Sequence, residues 1–208
     1  MKNIFILLCV VCLTGCVAGH KYNYKTSSLD IPVKPAEQRT LILSVEDLRP
    51  YVLSHDKEPN FIGLQRGGYG EPWDVTTGSG KPMTEDMSAA IEKGLKDVGY
   101  NVVAVLGNKQ DEYLVQTANK NGASRIVVLK VIDWKSDVNY GITLNCNLHL
   151  SVLDADGKLL AESKMKFRKK IGVGSWATES ENSHELAEEF AKRVRYLFNE
   201  HEVRRSLK

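Results

Sequence analysis

The sequence predicts an α/β fold. The expected sheet mixes parallel and antiparallel strands in the order β-α-β-α-β-β-β-α, packed as a two- or three-layer sandwich. Three observations carry this. Between positions 40 and 134, short apolar runs rich in strand formers alternate with segments of helical period. From 140 to 168 the period switches to two, on either side of the turn sequence Asp154-Ala-Asp-Gly157. A final stripe, Leu186, Phe190, Val194, Leu197 and Phe198, returns to helical spacing.

Each element has a local cause. Thr40–Glu46 (TLILSVE) is the first strand. Thr84 can cap a helix whose first turn holds Glu85 and Asp86, where the helix dipole favours acid. Met83, Met87, Ala90, Ile91, Leu95 and Val98 give that helix one apolar face, and Gly99 is placed to end it. Asn101–Leu106 is a second strand, Asp111–Asn119 a short helix closed by Asn121-Gly122, and Arg125–Trp134 a third, central strand. Tyr140–Leu153 alternates as a half-buried antiparallel strand, and Lys158–Arg168 runs back beside it. On the return strand Ala161, Ser163, Met165 and Phe167 share one face, and Glu162, Lys164, Lys166 and Arg168 the other. Such a row of lysines guards an edge or forms an anionic-ligand strip. Asn182 or Ser183 caps the last helix. Crossovers between the early strands favour parallel pairing.

The amino-terminal residues set the location. Lys2 precedes an apolar run from Ile4 to Leu13, too short to span a bilayer, which takes roughly 20 residues. It has the size of a secretory signal core. It ends in Leu13-Thr14-Gly15-Cys16, which resembles a bacterial lipobox, so Cys16 is expected to be acylated after residues 1–15 are removed. Residues 16–38 then read as a lipidated tether, 39–200 as a single domain with a long Gly-rich loop at 50–82, and 201–208 as a polar tail. Against 26 acidic side chains stand 28 basic ones, one of which leaves with the signal. A balance so near zero gives no pull toward nucleic acid. Cys9 and Cys12 also leave with the signal, so Cys146 has no disulfide partner within the chain; its row of apolar neighbours makes it core.

Catalytic and metal motifs fail on spacing. Gly80-Lys81 is followed by Pro82 rather than Ser or Thr, and Val75 stands where a Walker loop needs its first glycine. The third glycine of a dinucleotide fingerprint would fall at Trp73. Five scattered histidines form no ligand pair, and Met165 occupies the position where a calcium loop beginning at Asp154 needs glutamate. No Gly-x-Ser-x-Gly elbow occurs. No cofactor, metal or enzymatic activity is expected. The loop itself holds Phe61, Ile62, Leu64, Arg66, Tyr69 and Trp73. It either packs on its own core or presents Arg66, Tyr69 and Trp73 to a partner, with Trp176 in GVGSW offering a second aromatic contact.

The segments LTGC (13–16), LILSVEDLRP (41–50), LKDVGYNV (95–102) and NLHLSVLDADGKLLA (147–161) resemble those of Gram-negative outer-membrane lipoproteins of the YajG-like and LpoB-like kind. Their strand-helix order is shared with the amino-terminal domain of TolB. The resemblance implies three acyl chains on Cys16. With Val17 in place of a retention aspartate, it also implies a site on the periplasmic face of the outer membrane. The expected role is a non-enzymatic interaction or assembly module with membrane lipid and an envelope protein as partners; self-association is a further option. A glycan- or small-ligand-binding lipoprotein using the aromatic loop is the alternative, and an envelope hydrolase the third.

Overall fold

The computed structural model describes residues 20–25, 27, 29–172 and 177–208. Eight strands and five helices follow in chain order: β1 (Lys21–Tyr22), β2 (Thr40–Asp47), α1 (Pro50–Leu53), β3 (Phe61–Arg66), β4 (Pro72–Thr77), α2 (Met83–Asp97), β5 (Asn101–Val105), α3 (Asp111–Asn121), β6 (Arg125–Val138), β7 (Ile142–Asp154), β8 (Leu159–Ile171), α4 (Glu179–Asn199) and α5 (His201–Leu207). The mixed α/β architecture is the one expected.

All strands form one sheet that branches at β6. Along one edge of β6 runs the antiparallel pair β7–β8. The other edge is shared. Its first half, Arg125 to Val131, pairs in parallel with β2, which pairs in parallel with β5. Its last residues, Ser136 to Val138, pair with β3, which continues through β4 to β1. The chain moves one way across the sheet from β2 to β5 and back again to β6. Two right-handed crossovers then require helices on opposite faces. Accordingly α2 packs with α4 and α5 in the larger core, and α3 covers Ile42, Ile126 and Val128 from the other side.

The helix stops follow residue chemistry. Gly99 adopts φ +106, a conformation that costs other residues a Cβ clash, and there the backbone turns from α2 into β5. Thr178 and Glu181 cap each other's backbone N–H groups at the start of α4, four or five residues before the expected cap. Pro82, not Thr84, occupies the N-cap of α2.

Three expectations are corrected. The segment 50–82 is not one long loop: it holds α1 and the β3–β4 hairpin, with Phe61, Ile62 and Val75 buried. Arg49 organises it. Fully buried, its guanidinium clamps both carboxylate oxygens of Asp47 at 2.8 and 2.6 Å, and donates to the carbonyls of Pro59 (3.1 Å) and Phe61. Secondly, the span expected as tether belongs to the fold from Lys21 onward. Tyr22, Tyr24, Leu29, Ile31 and Val33 are core residues, because the apolar faces of α2 and α4 need a cover the helices alone do not supply. Thirdly, 201–208 is not a free tail. It forms α5, with Val203 and Leu207 buried one turn apart.

Candidate functional site

Two surfaces carry exposed, chemically distinctive side chains. The first is the half of the sheet face that α3 leaves open. Four lateral rows cross it from β6 through β7 to β8: Lys130–His149–Lys164, Asp133–Asn147–Lys166, Lys135–Asn145–Arg168 and Asp137–Thr143–Lys170. The alternation read in the sequence produces these rows, since every second residue of each strand points away from the core beneath α2, α4 and α5. The β8 members are exposed and those on β6 and β7 half-buried.

Acids on this face are already engaged. Asp137 is paired with Arg66, Glu162 with Lys164 at 2.8 Å, and Glu46 at the margin with Lys130 at 3.9 Å. Asp133 accepts from the Tyr51 hydroxyl at 3.2 Å. Lys166, Arg168 and Lys170 project from the edge strand, so the face is net basic. A groove of about 510 Å³ crosses it, lined by Tyr51, Asp133, Lys135, Asn145, Lys166 and Arg168 among others. Lys135 places its ammonium 5.5 Å from the Tyr51 ring centroid. Burial, then the neighbouring Lys164, holds the His149 imidazole below its ordinary value of 6.5, so it is neutral at neutral pH. Cys146 faces the other way, into the core, and burial pushes its thiol up to about 12, which makes it inert.

The second surface is the end of the sheet where the β3–β4 and β6–β7 hairpin tips meet. Arg66 grips Asp137 through two bonds of 2.8 and 2.7 Å and donates to the Gly70 carbonyl at 3.2 Å. Its guanidinium therefore braces the β3–β4 turn against β6. Asp137 is held below the ordinary carboxylate value, first by that hydrogen bond. Tyr69, at the braced turn, is fully exposed, and Tyr140, at the neighbouring tip, is 80% exposed. Both line one depression with Arg66 and Asn139. Trp73 lies on β4 opposite Gln65, 43% exposed.

Arg66, Tyr69 and Trp73 are thus on one hairpin, with Arg66 engaged by Asp137 and the Gly70 carbonyl while Tyr69 and Trp73 present their rings to solvent. Cys16 and Trp176 lie outside the described residues. The sequence reading missed Tyr140 and the rows behind the β8 lysines. Lys130, Asp133, Lys135 and Asp137 alternate around a bulge at Ile132, and that register shift hides their common face from a strict period of two. Among the described residues no helix is long and apolar enough to cross a membrane, and no three metal-ligating side chains converge.

No family model and no curated protein matches the chain. Among solved structures it is similar to protein XCC0632 of the DUF330 family from Xanthomonas campestris, with 12% identity and a TM-score of 0.56 over 88% of this chain and 94% of that one. Lipoprotein GNA1162 from Neisseria meningitidis aligns over 76% of this chain and 98% of its own, with 12% identity and a TM-score of 0.39. For the LpoB C-terminal domain from Escherichia coli the values are 63% and 83%, 11% and 0.32. At these identities what is shared with XCC0632 is the fold.

Proposed function

We propose that this protein is a lipid-anchored outer-membrane lipoprotein facing the periplasm, and that it is a non-enzymatic module binding an acidic surface of another envelope protein. The anchor rests on Leu13-Thr14-Gly15-Cys16 and the apolar run before it. The observation that carries the binding role is the open face of β6–β8, where Lys135, Lys166 and Arg168 surround a groove and the nearby acids already have partners. Charge complementarity on such a face sets encounter rate and partner choice. The strand edge is also kept from pairing with other chains by the same lysines, so one feature serves both ends.

A photocrosslinking residue at Lys166 in intact cells tests this. One discrete protein adduct is expected, and it should disappear when Lys135 and Arg168 are both changed to Glu while the fold is retained. An adduct indifferent to that reversal, or no adduct at all, would refute the reading. Asn145 and Asn147 in the groove favour a glycan as the second reading. Titration with peptidoglycan fragments, followed through the amide resonances of those two residues, would identify it.

A further inference from the structure

We propose that the sheet end carrying Tyr69 and Tyr140 rests on the lipid surface to which the chain is anchored, so that the domain stands with a fixed orientation on the membrane. This inference rests on acylation of Cys16 and goes beyond it, since an acyl anchor alone leaves a domain free to tumble.

Three observations lead there. The first is where the chain enters the fold. β1 pairs in parallel with β4, Lys21 with Thr76 and Tyr22 with Thr77. The residues before Lys21 therefore enter from the side of β4's beginning. The Lys21 amide also donates to Glu179 at 2.7 Å, which ties this point to the first turn of α4. The strand registers put the hairpin tips at the same end. Arg66 pairs with Pro72, Gln65 with Val138, Val138 with Ile142, and Ile142 with Ile171. The opposite end of the sheet holds the Asp154–Lys158 turn, because Arg125 pairs with Asp154.

The second is reach. From Cys16 to His20 the chain has four residue steps, which at full extension span roughly 14 Å. An acylated Cys16 sits at the bilayer surface, and β1 begins on the side of β4 that leads to Pro72. The hairpin tips therefore lie within reach of that surface, while the Asp154–Lys158 turn lies at the other end of the sheet.

The third is chemistry. Tyr69 and Tyr140 are the most exposed large aromatics at this end, each at a hairpin tip, and Trp73 stands beside them on β4. Lys170 lines the depression shared with Tyr140 and Arg66. Rings with a polar tip partition into the headgroup layer, where one side is apolar and the other wet. A neighbouring lysine is drawn to anionic headgroups. Between the two tips Arg66 and Asp137 neutralise each other.

The test uses the acylated protein in vesicles of phosphatidylethanolamine and phosphatidylglycerol. A fluorophore is attached at Gly68→Cys, where a side chain meets nothing within 4 Å, and separately at Asp156→Cys in the far turn. Lipids spin-labelled at the headgroup should quench the Gly68→Cys probe several-fold more than the Asp156→Cys probe. Adding Tyr69→Ser and Tyr140→Ser to the Gly68→Cys protein should abolish most of that difference. Equal quenching at the two positions in an acylated protein overturns the orientation and leaves the anchor standing. A protein that mass spectrometry shows to carry no acyl chain overturns the anchor and this inference with it.

Discussion

The indole N–H of Trp134 donates to the hydroxyl of Tyr24 at 2.9 Å, joining residues 110 positions apart in the core. The two rings meet edge to face at 6.1 Å, and Phe190 of α4 completes the cluster at 5.7 Å from Tyr24 and 5.8 Å from Trp134. The bond matters because a buried indole donor left without an acceptor forfeits its solvation. Tyr24→Phe should therefore destabilise the protein by about 1–3 kcal/mol although it removes only one oxygen. Urea unfolding followed by tryptophan fluorescence measures it. An unchanged midpoint would mean that Trp134 finds another acceptor.

The same cluster shows what the sequence could not display. Tyr22 and Tyr24 alternate with polar residues, and Leu29, Ile31 and Val33 alternate with Asp30 and Pro32. The two short runs are separated by polar residues, and prolines break and follow the second, so the segment reads as a tether. Their burial is dictated by α4, whose stripe was legible but whose cover was not. The β3–β4 hairpin was hidden in another way. Glycine and proline dominate Gly67–Pro72, and the strand pairs break register at Gly63, where a Cβ would come within 2.0 Å of the Ser136 hydroxyl. Only glycine allows β3 that close to β6, so the residue that reads as a loop signal is the one that permits the strand. By contrast β7 and β8 are long, alternate cleanly and are joined by a four-residue turn, so local pattern sufficed. Of the candidate residues, Tyr69 and Trp73 were found by type, whereas Tyr140 fell at the start of a segment read as strand. The contribution of Arg66 required seeing Asp137, 71 positions away.

Arg49 should be among the least replaceable residues. Its guanidinium holds Asp47 and two carbonyls inside the protein. Removing one partner of a buried pair strands the other charge, at a cost of about 3–5 kcal/mol. Arg49→Met should lower stability by that order and loosen the segment between β2 and β3. Hydrogen exchange should then show faster exchange at the Phe61 amide, which donates to Glu58. Protection like that of the wild type would show that the apolar contacts of Phe61 and Ile62 suffice. Changing Asp47 to Leu in the Arg49→Met background should recover part of the loss, because the stranded carboxylate is then gone.

The Arg66–Asp137 pair makes stability depend on acid. Its carboxyl is held below the ordinary aspartate value of 3.8 in the folded protein, first by the Arg66 hydrogen bond. A native value below the unfolded one means that the stabilisation is fully present above about 3.8 and is lost as pH falls through the native value. Asp137→Asn should therefore melt at a lower temperature than the wild type at neutral pH, with the two curves converging as the pH approaches 2. The gap should also narrow in high salt, since both side chains reach solvent. Curves separated equally at both ends of the pH range would assign the difference to packing instead of charge.

Deleting residues 201–208 should damage the fold more than loss of a surface tail would. The helix α5 buries Val203 and Leu207 against the sheet, and its carbonyls receive two side-chain donors: Tyr100 reaches Leu207 at 2.9 Å, and Arg125 reaches Ser206 at 2.6 Å. Removal would leave both donors without these acceptors and expose the apolar ends of β7 and β8, which α5 covers. Losing two large aliphatic side chains from a core costs about 2–5 kcal/mol each, an amount comparable to the whole stability of many domains. The truncated protein should accumulate poorly in the envelope and bind a hydrophobic dye when purified. Val203→Ala, which removes two methyl groups but keeps both hydrogen bonds, should give a smaller, measurable decrease in midpoint. If the truncation unfolds at the same denaturant concentration as the full chain, then α5 lies on the sheet without stabilising it.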